Sequence, residues 1–193
     1  MLAPVLVTPP TDLAVSLDDA KRHLRVDNTD HDDEIGEMIV AATEHLDGYT
    51  GVLGKAICTQ TWRQDLTRFG PRNYLPVDPV AEVESITYFD TDNVEQTLTV
   101  GFRLLRDSKG SFVALRPGYV WPDTYDREDA VSITYTAGVA AADVRKDTKA
   151  MIKLIVGDLY AFRETAQVGS VSSEIPFNTT VDALLAKQRA YSF

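Results

Sequence analysis

The stretch AVSITYT at residues 130–136 alternates between two kinds of side chain. Val131, Ile133 and Tyr135 are apolar or aromatic, and every residue between them is Ser or Thr. Successive side chains of a strand point to opposite faces, so this pattern predicts a β-strand with one buried and one polar face. A strand of this kind belongs to an antiparallel sheet.

Working outward, residues 55–137 hold further short β-rich runs separated by turn residues. Asp90–Asn93, Asp107–Gly110 and Pro117–Gly118 supply the turn residues. The runs predicted to be strands are Ile57–Leu66, Val83–Phe89, Glu95–Val100, Phe102–Arg106, Ser111–Leu115 and Ala130–Thr136. These strands predict a small antiparallel β-sandwich or barrel.

Helical periodicity precedes this region. Ser16 followed by Asp19 is a capping signal, which predicts a short helix from Leu17 to about Arg25. Apolar residues spaced by three and four predict a second helix over Asp32–Asp47, which Gly48 ends. Its first turn is acidic, and acids there stabilise the positive end of the helix dipole.

Helical periodicity also follows the β-rich region. It predicts a helix of about twenty residues from Val144 to near Glu164 and a final helix that carries Val181 and Leu185. The expected fold class is therefore α+β: a helical bundle core from residues 1–54 and 138–193, with residues 55–137 inserted as the β-rich part.

The acidic charge of the chain is concentrated at one end. The whole chain of 193 residues has a net charge of −10, and residues 1–50 hold eleven acidic against three basic side chains, a net charge of −8. Neutralising phosphates requires clustered Lys and Arg, so a DNA-gripping module is not expected.

The compartment can be inferred from cysteine usage and hydropathy. Cys58 is the only cysteine, which favours a reducing cytoplasm. The apolar run at residues 2–7 is too short for the core of a signal peptide, and no apolar run is long enough to span a membrane.

Motifs that carry chemistry were tested and rejected. Read as a calcium loop from Asn28, the chain has Asp33 where Gly is needed and Ile39 where Glu is needed. The glycines before Lys55 do not have phosphate-loop spacing. None of the histidines has a second histidine three or four residues away, as a zinc helix requires. We therefore predict no catalytic residue, no cofactor and no metal.

The order of short motifs along the chain carries a family resemblance. In chain order, these motifs are Thr8–Pro10, Ser16–Leu17, Ala20–Lys21, Leu24–Val26, His31–Asp33, Tyr49–Gly51, Gln60–Trp62, Leu75–Pro76, Pro79–Val80, Ile86–Tyr88, Trp121–Pro122, Tyr135, Ala137–Gly138, Tyr160, Arg163–Glu164, Leu184–Leu185 and Arg189. With them the chain resembles the phage gp6-like head-tail connectors, or adaptors, of tailed phages, including their relatives in gene transfer agents.

The resemblance implies a structural protein of the virion neck, made in the host cytoplasm. It would form a ring, twelve-fold in the family, beneath the portal protein and would link the DNA-filled head to the stopper and tail. It implies no enzyme activity, no membrane and no specific DNA binding, although DNA would pass through the lumen. The members of the family have a helical core, and only some members carry a β insertion.

Two sets of residues are candidates for the contacts that such a role requires. A ring interface needs two different complementary surfaces on one chain. We predict acidic and basic sets for it, namely Asp32, Asp33 and Glu37 against Arg145, Lys146 and Lys149. The family also suggests that the C-terminal region engages the portal, through Lys187, Arg189, Tyr191 and Phe193, although a frayed terminus is an alternative.

Two other classes of function stay open on the sequence. One is a phage tail or baseplate binding module that uses the β insertion, where Trp62, Trp121, Tyr119 and Tyr125 would form a carbohydrate platform or a protein hot spot. The other is a small cytoplasmic enzyme with an active site assembled from scattered residues.

Overall fold

The computed structural model describes residues 2–161 and 179–188. The chain divides into two compact units. The β unit comprises Lys55–Ala140 together with residues 2–11. The helical unit comprises Asp12–Gly54 together with the described part of residues 141–190. The fold is mixed α and β with antiparallel sheets, as the sequence predicts.

The β unit contains eight strands among its described residues. They are β1 (Val5–Thr8), β2 (Gln60–Leu66), β3 (Asn73–Tyr74), β4 (Val80–Phe89), β5 (Glu95–Thr97), β6 (Phe102–Asp107), β7 (Gly110–Leu115) and β8 (Val131–Ala137). Five form a sheet of order β1-β2-β8-β4-β5, and the other three form a sheet of order β3-β7-β6. Both orders are open, with different strands at the two edges, so the barrel alternative is wrong.

The strand β8 lies at the centre of the larger sheet and has the predicted two faces. Val131, Ile133 and Tyr135 are fully buried, whereas the hydroxyl residues between them are half-buried. The two sheets share one hydrophobic core. Val113 of β7 and Val77, in the segment after β3, are part of the same cluster of buried residues. Burial raises the pKa of the Tyr135 phenol, whose oxygen accepts a hydrogen bond from the Val77 N–H at 3.4 Å.

One glycine explains how the chain leaves β8. Gly138 has φ +92°, a region that favours glycine. A Cβ atom there would lie 2.1 Å from the Cys58 carbonyl oxygen. The close approach allows Cys58 and Val139 to form an isolated β-bridge. The strand that the sequence predicts from Ile57 begins as a regular strand at Gln60.

The helical unit contains four α-helices among its described residues. They are α1 (Leu17–Leu24), α2 (Asp32–Leu46), α3 (Lys146–Ala161) and α4 (Thr179–Gln188). Ser16 caps α1 as predicted, since its hydroxyl accepts a hydrogen bond from the Asp19 N–H at 3.1 Å. The core of this unit is apolar and consists of Ala20, Ile35, Ile39, Ala42, Leu46, Met151, Ile152, Val156, Val181 and Leu185.

Several strands and one unit boundary differ from the predictions. The strands β1 and β3 were not expected, and the strand predicted over Glu95–Val100 stops at Thr97. β1 pairs antiparallel with β2, so residues 2–11 group with the β unit, although the sequence analysis assigned residues 1–54 to the helical core. The predicted end of the third helix near Glu164 lies outside the described residues.

Candidate interaction surfaces

The solvent-exposed side of α2 carries the acidic residues that were predicted to make a ring contact. Asp33, Glu37, Val40 and Glu44 are all exposed, and their spacing places them along one side of the helix. We call this stripe the α2 face. Val40, 41% exposed, is its apolar centre between carboxylates. The stripe presents charge and a small apolar area together.

Asp32, the third acidic candidate, already has a partner within the chain. Its Oδ1 atom lies 2.5 Å from the Lys21 Nζ atom. The Lys21 side chain is 14% exposed and that of Asp32 is 28% exposed, so the pair is largely withdrawn from solvent. This ion pair joins α1 to α2 and gives Asp32 a structural role inside the helical unit.

The basic candidates cluster at the start of α3, the end of a helix where cations are unfavourable. Arg145 Nη2 lies 2.6 Å from an Asp147 carboxylate oxygen, and this guanidinium holds the pKa of Asp147 below its usual range. Lys146 is exposed, and Lys149 Nζ donates to the Ala142 carbonyl at 3.4 Å. Arg145 is therefore largely neutralised by Asp147, in the first turn of α3.

The predicted portal-binding residues lie at the edge of what is described. Lys187 falls within α4, and Arg189, Tyr191 and Phe193 lie outside the described residues. Val181 and Leu185 of the same helix are buried. The described part of α4 is thus anchored in the helical unit up to the point where the candidate residues begin.

A second exposed surface lies on the β unit, and Tyr119 is the one residue of it that the sequence singled out. Val120 is 88% exposed, Val100 63% and Tyr119 52%. We call these three residues the tip. The Tyr119 ring lies against Gly101, the neighbour of Val100, because a Cβ atom on Gly101 would be 2.5 Å from the Tyr119 Cδ1 atom. Two chain segments therefore meet to expose one apolar patch.

Several contacts hold the tip in one conformation. The Arg116 N–H donates to the Gly101 carbonyl at 2.8 Å, and the Tyr119 N–H donates to the Arg116 carbonyl at 3.2 Å. Pro117 and Gly118, the latter at φ +88°, occupy the two central positions of this turn, as in a type II turn. Gly101 itself has φ +90°, so glycine is required on both segments.

The aromatic residues that the sequence grouped together have separate roles. Trp62 is buried in the core of the β unit. Trp121 stacks on Phe69, with ring centroids 4.3 Å apart and 2° between the planes, and so anchors the chain directly after Val120. Tyr119 and Tyr125 are exposed. The four rings do not share one environment, which argues against a single aromatic platform.

The described residues hold neither a metal-ligand cluster nor a membrane-spanning helix. Within residues 2–161 and 179–188, no three His, Cys, Asp or Glu side chains are arranged to hold a metal ion. Among the same residues, no helix has the length and hydropathy needed to cross a membrane.

Comparison with known proteins gives a family match over part of the chain. Residues 14–99 match the model of the phage gp6-like head-tail connector proteins. This is the family that the sequence resembles. The matched connector segment runs from the residues before α1 through β5, so it includes parts of both units. No curated protein matches the chain.

Solved structures share the fold of the whole chain. A chain in the virion of a native gene transfer agent particle is 24% identical, with a TM-score of 0.75, and the match covers 100% of this chain and 97% of that one. A chain in the neck of an empty particle of this kind, computed with C6 symmetry, gives the same values. A chain in the neck of a native particle, computed with C12 symmetry, has a TM-score of 0.68 at the same identity and coverage. The chain therefore has the fold of these particle chains over its whole length.

Proposed function

We propose that this chain is a structural head-tail adaptor in the neck of a phage or phage-like particle, where it acts without catalysis. The observation that carries the proposal is the family match over residues 14–99 combined with a fold match over the full chain to neck chains of gene transfer agent particles. We further propose that the subunits form a ring beneath the portal and connect it to the stopper and tail. The necks with a similar chain were computed with C6 and C12 symmetry, which supports a cyclic assembly.

The finer architecture proposed from the sequence fits this role. We propose that the helical unit is the adaptor core and that the β unit is its insertion, built as a sandwich of the two sheets. The shared hydrophobic core of the sheets supports the sandwich. The buried side chains contributed by all four helices support a bundle.

We propose the α2 face as one ring contact. Asp33 and Glu37 are exposed there, whereas Asp32 is already paired with Lys21. The basic set proposed from the sequence is reduced in the same way, since Arg145 is paired with Asp147. Lys146 and Lys149 remain the basic candidates on α3. A surplus of negative charge in the helical unit also supports the absence of DNA binding, because it repels phosphates.

Assembly on the portal tests the proposed function. The purified chain is mixed with the portal protein encoded by the same particle, and the complex is imaged by electron microscopy. A ring of density added at one end of the portal is the expected result. A portal that stays bare at micromolar concentrations of the chain would contradict an adaptor role.

The C-terminal contact needs a separate variant. A chain truncated after Gln188 keeps α4 and its buried residues Val181 and Leu185, so the helical unit should stay folded. Removing Arg189, Tyr191 and Phe193 should abolish portal binding if these residues insert into the portal. Full binding by the truncated chain, with an unchanged circular dichroism spectrum, would refute the contact.

A further inference from the structure

The tip has the composition of the centre of a protein interface. Val100, Tyr119 and Val120 are exposed where the two chain segments meet, and Arg103 and Arg116 are exposed on the strand that follows Gly101 and at the start of the turn. Protein interfaces combine an apolar, aromatic centre with a polar rim, and Tyr and Arg are the residues that most often dominate their binding energy. The tip therefore presents an apolar centre with a basic rim.

The rigidity of the tip distinguishes it from an ordinary exposed loop. Hydrogen bonds to Gly101, two glycines at positive φ and the stacking of Trp121 on Phe69 fix a surface that leaves Val120 almost wholly in water. Water-exposed apolar area gives the free subunit no stability. A preformed surface lowers the entropy lost on association, so this arrangement favours binding to a partner.

The α2 face has the complementary chemistry. Val40 is its apolar centre, and Glu37 and Glu44 lie on either side of it along the helix. An acidic rim around an apolar centre matches a basic rim around an apolar centre. Tip and α2 face are different surfaces of one chain, which is the condition for a head-to-tail contact that closes into a ring.

We propose that the tip of one subunit docks on the α2 face of a second copy of this chain. The contact places Val120 and Tyr119 against Val40 and places Arg103 and Arg116 near Glu37 and Glu44. This inference rests on the proposed function, since it names the partner surfaces within the ring. It also assigns the α2 face a basic partner on the β unit, in place of Lys146 and Lys149 of α3.

Substitutions at the tip test the contact through ring formation on the portal. Val120→Asp should reduce the ring-bound fraction at least about tenfold, because burying a carboxylate in an apolar centre is strongly unfavourable. Val94→Asp is the matched control, since Val94 is also an exposed valine of the β unit, 54% exposed, and belongs to the turn before β5. Equal ring formation by both variants would overturn the proposal.

A charge exchange tests the pairing itself. The double variant Arg103→Glu with Arg116→Glu should assemble poorly, and adding Glu37→Arg with Glu44→Arg should restore assembly. The variant Lys146→Glu with Lys149→Glu should assemble as the natural chain does. If the Lys146→Glu, Lys149→Glu chain failed to assemble and the Arg103→Glu, Arg116→Glu chain assembled normally, the contact would instead belong to α3.

Cross-linking separates failure of this inference from failure of the proposed function. A Val40→Cys, Val120→Cys chain is oxidised with copper phenanthroline, with the portal and also alone at high concentration; Cys58 is buried and does not interfere. A ladder of multimers on denaturing gels supports the contact in either case. Rings on the portal without a ladder overturn the inference alone, whereas a ladder without rings contradicts only the proposed function. Neither rings nor a ladder would overturn both.

Discussion

The β unit and the helical unit keep their structure by different means. The β unit buries a continuous core between two sheets, with Ile86, Val131, Ile133 and Tyr135 fully inaccessible to solvent. The helical unit buries one apolar side of each helix, Ser16 caps α1, and the Lys21–Asp32 pair joins α1 to α2. Hydrophobic burial contributes more per residue than exposed polar contacts do. The β unit is therefore suited to hold a rigid exposed tip.

The largest expected effect is in the core of the β unit. Ile133→Ala should lower the free energy of unfolding by about 2–5 kcal/mol, because it leaves a cavity in the central strand. Both tryptophans of the chain, Trp62 and Trp121, lie in this unit, so tryptophan fluorescence during urea unfolding reports on it. The exposed Val94→Ala is the control. If Ile133→Ala lowered the urea midpoint of the helical far-UV signal as much as that of the fluorescence signal, the two units would unfold together.

An intermediate effect is expected in the helical unit. Asp32→Asn should lower the free energy of unfolding by about 1–3 kcal/mol, because Lys21, 14% exposed, loses the carboxylate that its ammonium group binds. The far-UV helical signal measures the change. Asp33→Asn, on the exposed side of the same turn, should change the free energy of unfolding by less than about 0.5 kcal/mol. Equal losses in the two variants would remove the distinction between a partly buried and an exposed charge.

The smallest effect depends on pH. The pKa of Asp147 is lowered in the folded chain by Arg145, so ionisation of this carboxyl stabilises the fold at neutral pH. That contribution is lost as the pH falls through the lowered pKa, below the ordinary value of 3.8. Because Arg145 is 64% exposed, we expect less than about 1 kcal/mol.

The measurement compares the natural chain with Asp147→Asn by thermal unfolding. The natural chain should be the more stable near neutral pH, and the difference should shrink in acid below the lowered pKa. Asp143→Asn, an exposed acid of the preceding 3-10 helix (Ala141–Asp143), is the control. A difference that stays constant through this acid range would mean that the Arg145 contact does not lower the pKa.

Local patterns predicted most of the elements because the physics behind them is local. The alternation at residues 130–136 corresponds to β8, and the Ser16 signal corresponds to the observed cap of α1. The acidic first turn of α2 is also where the sequence places it. Each of these features depends on residues within four positions of one another.

Pairing between distant segments was not predictable in the same way. The run at residues 2–7 was tested as a signal-peptide core, and its role as an edge strand became visible only through pairing with β2. The ion pair of Asp32 with Lys21 likewise required the orientation of α1 against α2. The turn at Pro117–Gly118 was predicted and Tyr119 was a candidate surface aromatic, but the exposure of Val100 and Val120 was not predicted, because exposure depends on what packs around a residue.

The sequence by itself determined the periodicities, the helix starts, the position of the acidic charge and, through the order of motifs, a family resemblance. The tertiary structure alone decided which charges are already neutralised and which apolar residues stay in water. Asp32 and Arg145 look as available as Asp33 and Lys146 in the sequence, yet only the latter pair is exposed without an observed ion pair. Burial and the pairing of Lys21 with Asp32 depend on distances across the fold, which no local pattern of residues encodes. Arg145 pairs with Asp147, only two positions along the chain, and there the structure adds the geometry of the contact.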